Sequence, residues 1–122
     1  MIDCAEGLGC ISVPTIYTNG FNREESLIDH FTRHGGMLGV STKEEYLERA
    51  DEFCGRPRDP SETHIHECIR PREGDRIRYN ELTEEWGVLC SYNVVRTYYI
   101  LTTAIQKHGS GLAYFQSECA KT

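Results

Sequence analysis

The spacing of hydrophobic positions changes part-way along the chain. Between residues 22 and 55 it is helical. Leu27, Ile28 and Phe31 form one apolar stripe, and His34 continues the Leu27–Phe31 row. Asn22 and Glu25 carry the pattern of a capping box at its start, and Gly35 reads as its stop. A second helix opens at Ser41 with Glu44 as reciprocal partner. Tyr46, Leu47, Ala50 and Phe53 face inward, while Lys43, Glu44, Glu48 and Glu52 face water. Gly55, Pro57 and Pro60 end the helical part. From Thr63 the period becomes two: Thr63, Ile65, Glu67 and Ile69 alternate with His64, His66, Cys68 and Arg70. Further strands are expected at Arg76-Ile77-Arg78-Tyr79, at Glu85-Trp86-Gly87-Val88-Leu89-Cys90 and within residues 94–103, joined by short polar turns. Leu112-Ala113-Tyr114-Phe115, after Gly109 and Gly111, reads as a last strand or a helical turn. Residues 1–21 form an irregular arm, broken by Gly7, Gly9, Pro14 and Gly20. The expected architecture is one α+β domain. Helices from residues 22–55 pack on one face of a three-to-five-stranded antiparallel meander from residues 63–116.

Composition narrows the partners. A chain of 122 residues with 39% hydrophobic and 26% charged positions suits one globular domain. No apolar run approaches a membrane span, and the N-terminus lacks a basic segment followed by an apolar core, so no membrane association and a cytoplasmic setting are expected. The six cysteines, without an export signal, are then expected to be reduced. A net charge of -6 argues against strong nonspecific binding to nucleic acid but permits a local basic cleft. Arg33, Arg72, Arg76, Arg78 and Arg96 fall in segments expected around such a cleft, while the glutamates concentrate on helix exteriors.

Three constellations carry candidate chemistry. His30 and His34, four residues apart, share a helix face and have the intrinsic pKa for proton transfer near neutrality. The bland alternative is a helix end with cationic residues near its C-terminal dipole and glycine as the stop. Cys54, His64, His66 and Cys68 are zinc-type ligands, although no Cys-x-x-Cys knuckle is present and alternate residues on one strand splay apart. Any of the six thiols could serve as a nucleophile beside a histidine, but none lies in a recognisable motif, and a buried structural role is the default.

The order of motifs adds a further reading. His30-Phe31-Thr32-Arg33-His34-Gly35-Gly36-Met37-Leu38-Gly39-Val40 is followed by Glu44-Glu45-Tyr46-Leu47 and Ala50. Gly74-Asp75-Arg76-Ile77-Arg78-Tyr79-Asn80, residues 83–88, Val94-Val95-Arg96-Thr97-Tyr98-Tyr99 and Gly111-Leu112-Ala113-Tyr114-Phe115 come next. Over residues 27–116 this series resembles the colicin D-like RNases, a branch of the barnase/EndoU/colicin/RelE-type ribonuclease fold. The resemblance implies a metal-independent endoribonuclease without a cofactor, cleaving tRNA, and restrained by a cognate immunity protein or antitoxin. It implies His34 as acid/base. The family's catalytic lysine falls on Phe31, so Arg33 or His30 would substitute. Its strand serine falls near Arg96-Thr97, and its tryptophan on Tyr98.

Metal-free RNA cleavage needs a proton acceptor for the ribose 2′-OH and charge stabilisation for the phosphorane. His34 suits the first, with His30 in support; Arg96 and Thr97 suit the second. Arg33 and Arg78 could hold phosphates, and Tyr98 or Trp86 could stack an extruded base. Strand alternation sets Thr97 against Arg96 and Tyr98 unless a bulge intervenes. Gly35 and Gly36 would let a phosphate approach the backbone. Two other readings remain: a noncatalytic interaction module on the same scaffold, as in a phage or mobile-element accessory protein, and a zinc-stabilised structural domain.

Overall fold

A computed structural model of the chain describes residues 15–71, 73–102 and 109–121. Its first helix, α1, spans Glu24–Leu38 with Arg23 as N-cap, and no side chain caps its start. Asn22 lies one residue too early, so the Asn22/Glu25 box does not form. Nor does Gly35 end the helix. It is buried inside α1, where an added Cβ would lie 2.7 Å from the Phe31 ring. The stop is Gly39, left-handed at φ 72°, with its N–H turned back to the carbonyls of Gly35 and Gly36. Gly35 is therefore a packing position with no room for a phosphate, while Gly36 is exposed but lies within the intact helix.

Helix α2, Lys43–Gly55, starts one residue later than the sequence pattern suggests. Thr42 is the N-cap and accepts from the Glu45 N–H at 3.1 Å, while the Glu45 carboxylate accepts from the Ser41 N–H at 3.2 Å. Four strands follow: β1 Ile65–Ile69, β2 Arg76–Asn80, β3 Glu85–Leu89 and β4 Val95–Ile100. They form one antiparallel sheet in the order β1-β2-β3-β4, the expected meander. The tail segment is neither strand nor single turn. It forms helix α3, Gly111–Cys119, with the Ser110 hydroxyl accepting from the Ala113 N–H.

The pleat sorts the core into two parts. On one face, Leu27 and Leu38 of α1 and Tyr46, Ala50 and Cys54 of α2 bury against Leu89, Val95 and Tyr98. On the other, Ile77, Tyr79, Trp86, Val88 and Leu101 bury against Phe115 of α3. The fold is therefore α+β with helices on both faces. A disulfide joins Cys68 of β1 to Cys119 of α3, which corrects the expectation of reduced thiols for this pair. Among the described residues Cys54 and Cys90 are free; Cys4 and Cys10 lie outside them.

The described part of the arm is fixed rather than loose. The Asp51 carboxylate, buried on α2, accepts from the N–H groups of Ile16, Tyr17 and Thr18 and from the Thr18 hydroxyl. Beyond this clamp the chain runs beside the start of β4, where Gly20 O accepts from Val95 N–H at 2.8 Å and Phe21 forms a parallel bridge to Val95. Part of the β4 edge is thereby covered. Among the described residues no helix is long and apolar enough to cross a membrane.

Candidate functional site

Strand β4 carries an irregularity where the candidate chemistry lies. Val88 pairs with Thr97, but Leu89 pairs with Val95, so Arg96 is an extra residue with no partner on β3. The bulge relaxes strand alternation. Val95 and Tyr98 turn toward the α1/α2 face, while Arg96 and Thr97 both border an open depression of about 510 Å³ on the α3 side. Arg70, Glu73, Asp75, Tyr99, Tyr114 and Glu118 complete most of its rim. Arg96 donates from Nε to Asp75 Oδ2 at 2.9 Å. Asp75 is 2% exposed at its side chain and Arg96 56%, so a buried carboxylate holds the root of the guanidinium and leaves its terminal amino groups toward solvent. Asp75 raises the pKa of Arg96 still further by this hydrogen bond.

His34, near the end of α1, reaches the same strand by another route. Its ring stacks on Tyr99 with centroids 5.0 Å apart and an angle of 26°. Burial, then the neighbouring Arg33 and His30, lowers the pKa of His34 below the usual imidazole value, with Asp29 opposing. The neutral ring therefore prevails at pH 7, the state a general base needs. His34 does not line the depression itself; Tyr99 is the shared element, touching His34 and bordering the space beside Thr97. Burial, followed by Tyr114, raises the pKa of Tyr99, so its hydroxyl stays protonated.

His30 is in support. Its Nδ1 hydrogen-bonds the Ser26 carbonyl at 2.8 Å, and its ring packs between Phe21 and His34. Arg33 lies exposed on the outside of α1, bonded to Asp29 at 2.7 Å. The remaining expected substrate contacts are elsewhere. Tyr98 is 0% exposed, enclosed by Tyr46 and Phe53, and its hydroxyl donates to Glu85. It has no ring face to offer a base, because the residue after Thr97 points into the α1/α2 layer. Trp86, 2% exposed, lies under Tyr114 and Phe115 of α3. Arg78, 4% exposed, is consumed by Glu67 and by the carbonyls of Phe53 and Arg56 at the end of α2. Arg76 bonds the Cys54 carbonyl on that same side. The expected basic cluster is thus split: Arg76 and Arg78 cap a helix, Arg96 stays open, and Arg72 lies outside the described residues.

The zinc-type set is also dispersed. Cys68 is in the disulfide, His66 bonds Glu81, and Cys54 is on the buried face of α2 with its thiol pKa pushed up to about 12 by burial. Among the described residues no three His, Cys, Asp or Glu side chains are grouped to hold a metal ion. The same burial removes Cys54 as a nucleophile.

Sequence reasoning missed Asp75, Tyr99, Tyr114 and Glu118. Asp75 had a weak signal, as an acidic residue directly after a turn glycine and before an arginine-bearing strand. Tyr114 and Glu118 had none, since only the docking of α3 brings them to β4. Neither a family model nor a curated protein matches this chain.

Proposed function

We propose that this protein is a metal-independent endoribonuclease, with tRNA as its expected substrate. The observation that supports the reading best is a half-buried, neutral His34 stacked on Tyr99, beside a bulge that turns Arg96 and Thr97 into one open depression. In this scheme neutral His34 takes the proton of a ribose 2′-OH, and O2′ attacks the adjacent phosphorus. The Arg96 terminal amino groups and the Thr97 hydroxyl stabilise the phosphorane oxygens. The P–O5′ bond then breaks, protonated His34 returns the proton to O5′, and a 2′,3′-cyclic phosphate and a 5′-hydroxyl result. His30 supports the imidazole. Tyr99, rather than Tyr98, supplies the aromatic surface.

The chain would act in the cytoplasm, where tRNA is found, with a cognate immunity protein or antitoxin as protein partner. The Cys68–Cys119 disulfide fits a chain that passes through an oxidising compartment first. The test is incubation of purified protein with total tRNA in EDTA, beside His34→Ala. Cleavage that survives EDTA and disappears in the variant supports the reading. No cleavage of any RNA at high protein concentration would sink it. That result would favour the noncatalytic interaction module, toward which one observation points: Arg70, Arg76, Arg78 and Arg96 are each already paired with a carboxylate.

A further inference from the structure

Helix α3 is held at its two ends by different means. At its start, Gly111 lies so close to the Tyr79 hydroxyl and the Glu84 carboxylate that no side chain would fit. At its finish, Cys119 is bonded to Cys68 of β1, a strand at the sheet edge, and both cysteines are half-buried, within reach of a small thiol. Between these anchors α3 supplies one wall of the depression: Tyr114, whose ring packs on Trp86 with centroids 4.8 Å apart and which is hydrogen-bonded to Tyr99, and Glu118, which pairs with Arg70. Glu118 is adjacent to Cys119, so the disulfide sets where that wall stands. At nine residues α3 is too short to be stable alone, and its position depends on what it is fastened to.

We propose that the Cys68–Cys119 disulfide is a redox latch: closed, it holds the C-terminal end of α3 on β1, so that Tyr114 and Glu118 stand as one wall of the depression bordered by Thr97 and Tyr99; reduced, it lets that end swing away from β1 and widens the depression. The reductant is a thiol, small or carried on a dithiol protein. Two thiols give up two electrons and two protons, the S–S bond becomes two cysteine thiols, and the reductant leaves as its own disulfide. Gly111 and its neighbours keep the helix start docked, so opening is a local hinge and not loss of the fold. The consequence for RNA rests on the function proposed above: the site is narrowed in an oxidising compartment and widened where RNA is met. The movement itself does not depend on that reading.

The single tryptophan reports it, because Trp86 is shielded by Tyr114 and Phe115 of α3. The full chain is compared oxidised, reduced with dithiothreitol, and as the Cys68→Ser/Cys119→Ser double variant, with thiols counted by alkylation and mass. Red-shifted, more quenchable Trp86 emission is expected in the last two states. Amide exchange in α3 should rise roughly tenfold or more while α1 and α2 keep their protection. A fully reduced protein with Trp86 as shielded as before overturns the latch. So does a rise in exchange across α1 and α2, which makes the bond a staple of the whole fold. Cleavage of tRNA is then followed in both redox states, with faster cleavage expected after reduction. Equal cleavage with α3 released removes the regulatory role. Release of α3 with no cleavage in either state leaves the latch standing and counts against the ribonuclease alone.

Discussion

The two faces of the sheet use similar side chains in opposite ways. Toward α1 and α2, Arg76 and Arg78 are drawn inward as caps for the last carbonyls of α2, and Tyr98 is sealed between aromatic rings. Toward α3, Arg96 keeps its guanidinium in the open, and Tyr99 borders an accessible depression. The residue types do not explain the difference. The pleat does, together with the single extra residue at Arg96, which reverses the facing that strict alternation would give. The α1/α2 face buries these groups, whereas the α3 face, beside a core of its own, leaves Arg96 and Tyr99 at an open depression, and substitutions should separate the two.

The largest separation is expected from His34→Ala. Loss of a positioned acid/base is worth about a hundredfold to ten-thousandfold in rate. Cleavage of tRNA, followed on gels under single-turnover conditions, should fall by that factor while the urea midpoint moves little, because the His34 ring nitrogens make no hydrogen bond among the described residues. A large fall in the midpoint would place His34 with the cohesive face instead. Arg78→Met should behave in the opposite way. It leaves Glu67 and the Phe53 and Arg56 carbonyls without their partner in a buried setting, a loss of about 3–5 kcal/mol. Chemical denaturation measures it, and the cleavage rate per folded molecule should be unchanged.

Gly87→Ala probes the same side by volume. A Cβ there would lie 2.6 Å from the Cys54 sulfur and 2.9 Å from the Phe53 ring, so overpacking of about 1–3 kcal/mol is expected. On the open face the informative change is Arg96→Lys rather than removal, since deleting the cation would strand the buried Asp75 carboxylate. Lysine keeps the charge but loses the fork. Cleavage should drop on the order of tenfold, one charge-assisted bond being worth about 1.5 kcal/mol or more, with a smaller change in stability.

Much of this architecture was legible in the sequence because it is written in periods. Helical spacing located α1 and α2, and alternation located the four strands in their order along the sheet. Local signals were less secure. The boxes at Asn22 and Ser41 are each one residue early, because the N-cap falls on whichever neighbour adopts the extended conformation: Arg23, which supplies no side-chain cap, and Thr42, which does. The candidate site was half legible. His34, Arg96 and Thr97 could be nominated from their types and order, and the bulge that lets the last two share a depression could only be stated as a condition. Tyr98 and Tyr99 are chemically equivalent neighbours, and nothing but the register tells which one is buried. Tyr114, Glu118 and the Cys68–Cys119 bond depend on how α3 docks, a contact across 51 residues of chain for which local pattern carries no information.

The finest test of the comparison is pH dependence, because His34 lies at the border between the packed and the open regions. Burial disfavours its charged form, so its folded-state pKa lies below the ordinary 6.5. Where it acts as base, cleavage should hold its plateau below the pH at which an ordinary histidine would be half protonated, and then fall as the pH drops through the lowered value. Stability carries the matching sign. Between the unfolded-state pKa and the lower folded-state one, the unfolded chain binds a proton that the native protein does not. The His34 contribution is therefore fully present above the unfolded value, declines as the pH falls through this window, and is flat below it. The slope should vanish in His34→Gln. If the acidic limb of cleavage instead sits at the unperturbed imidazole value in the wild type, His34 is solvated during turnover, and its stack on Tyr99 must open before chemistry. That outcome would move the working site away from the packed border and wholly into the depression beside Arg96.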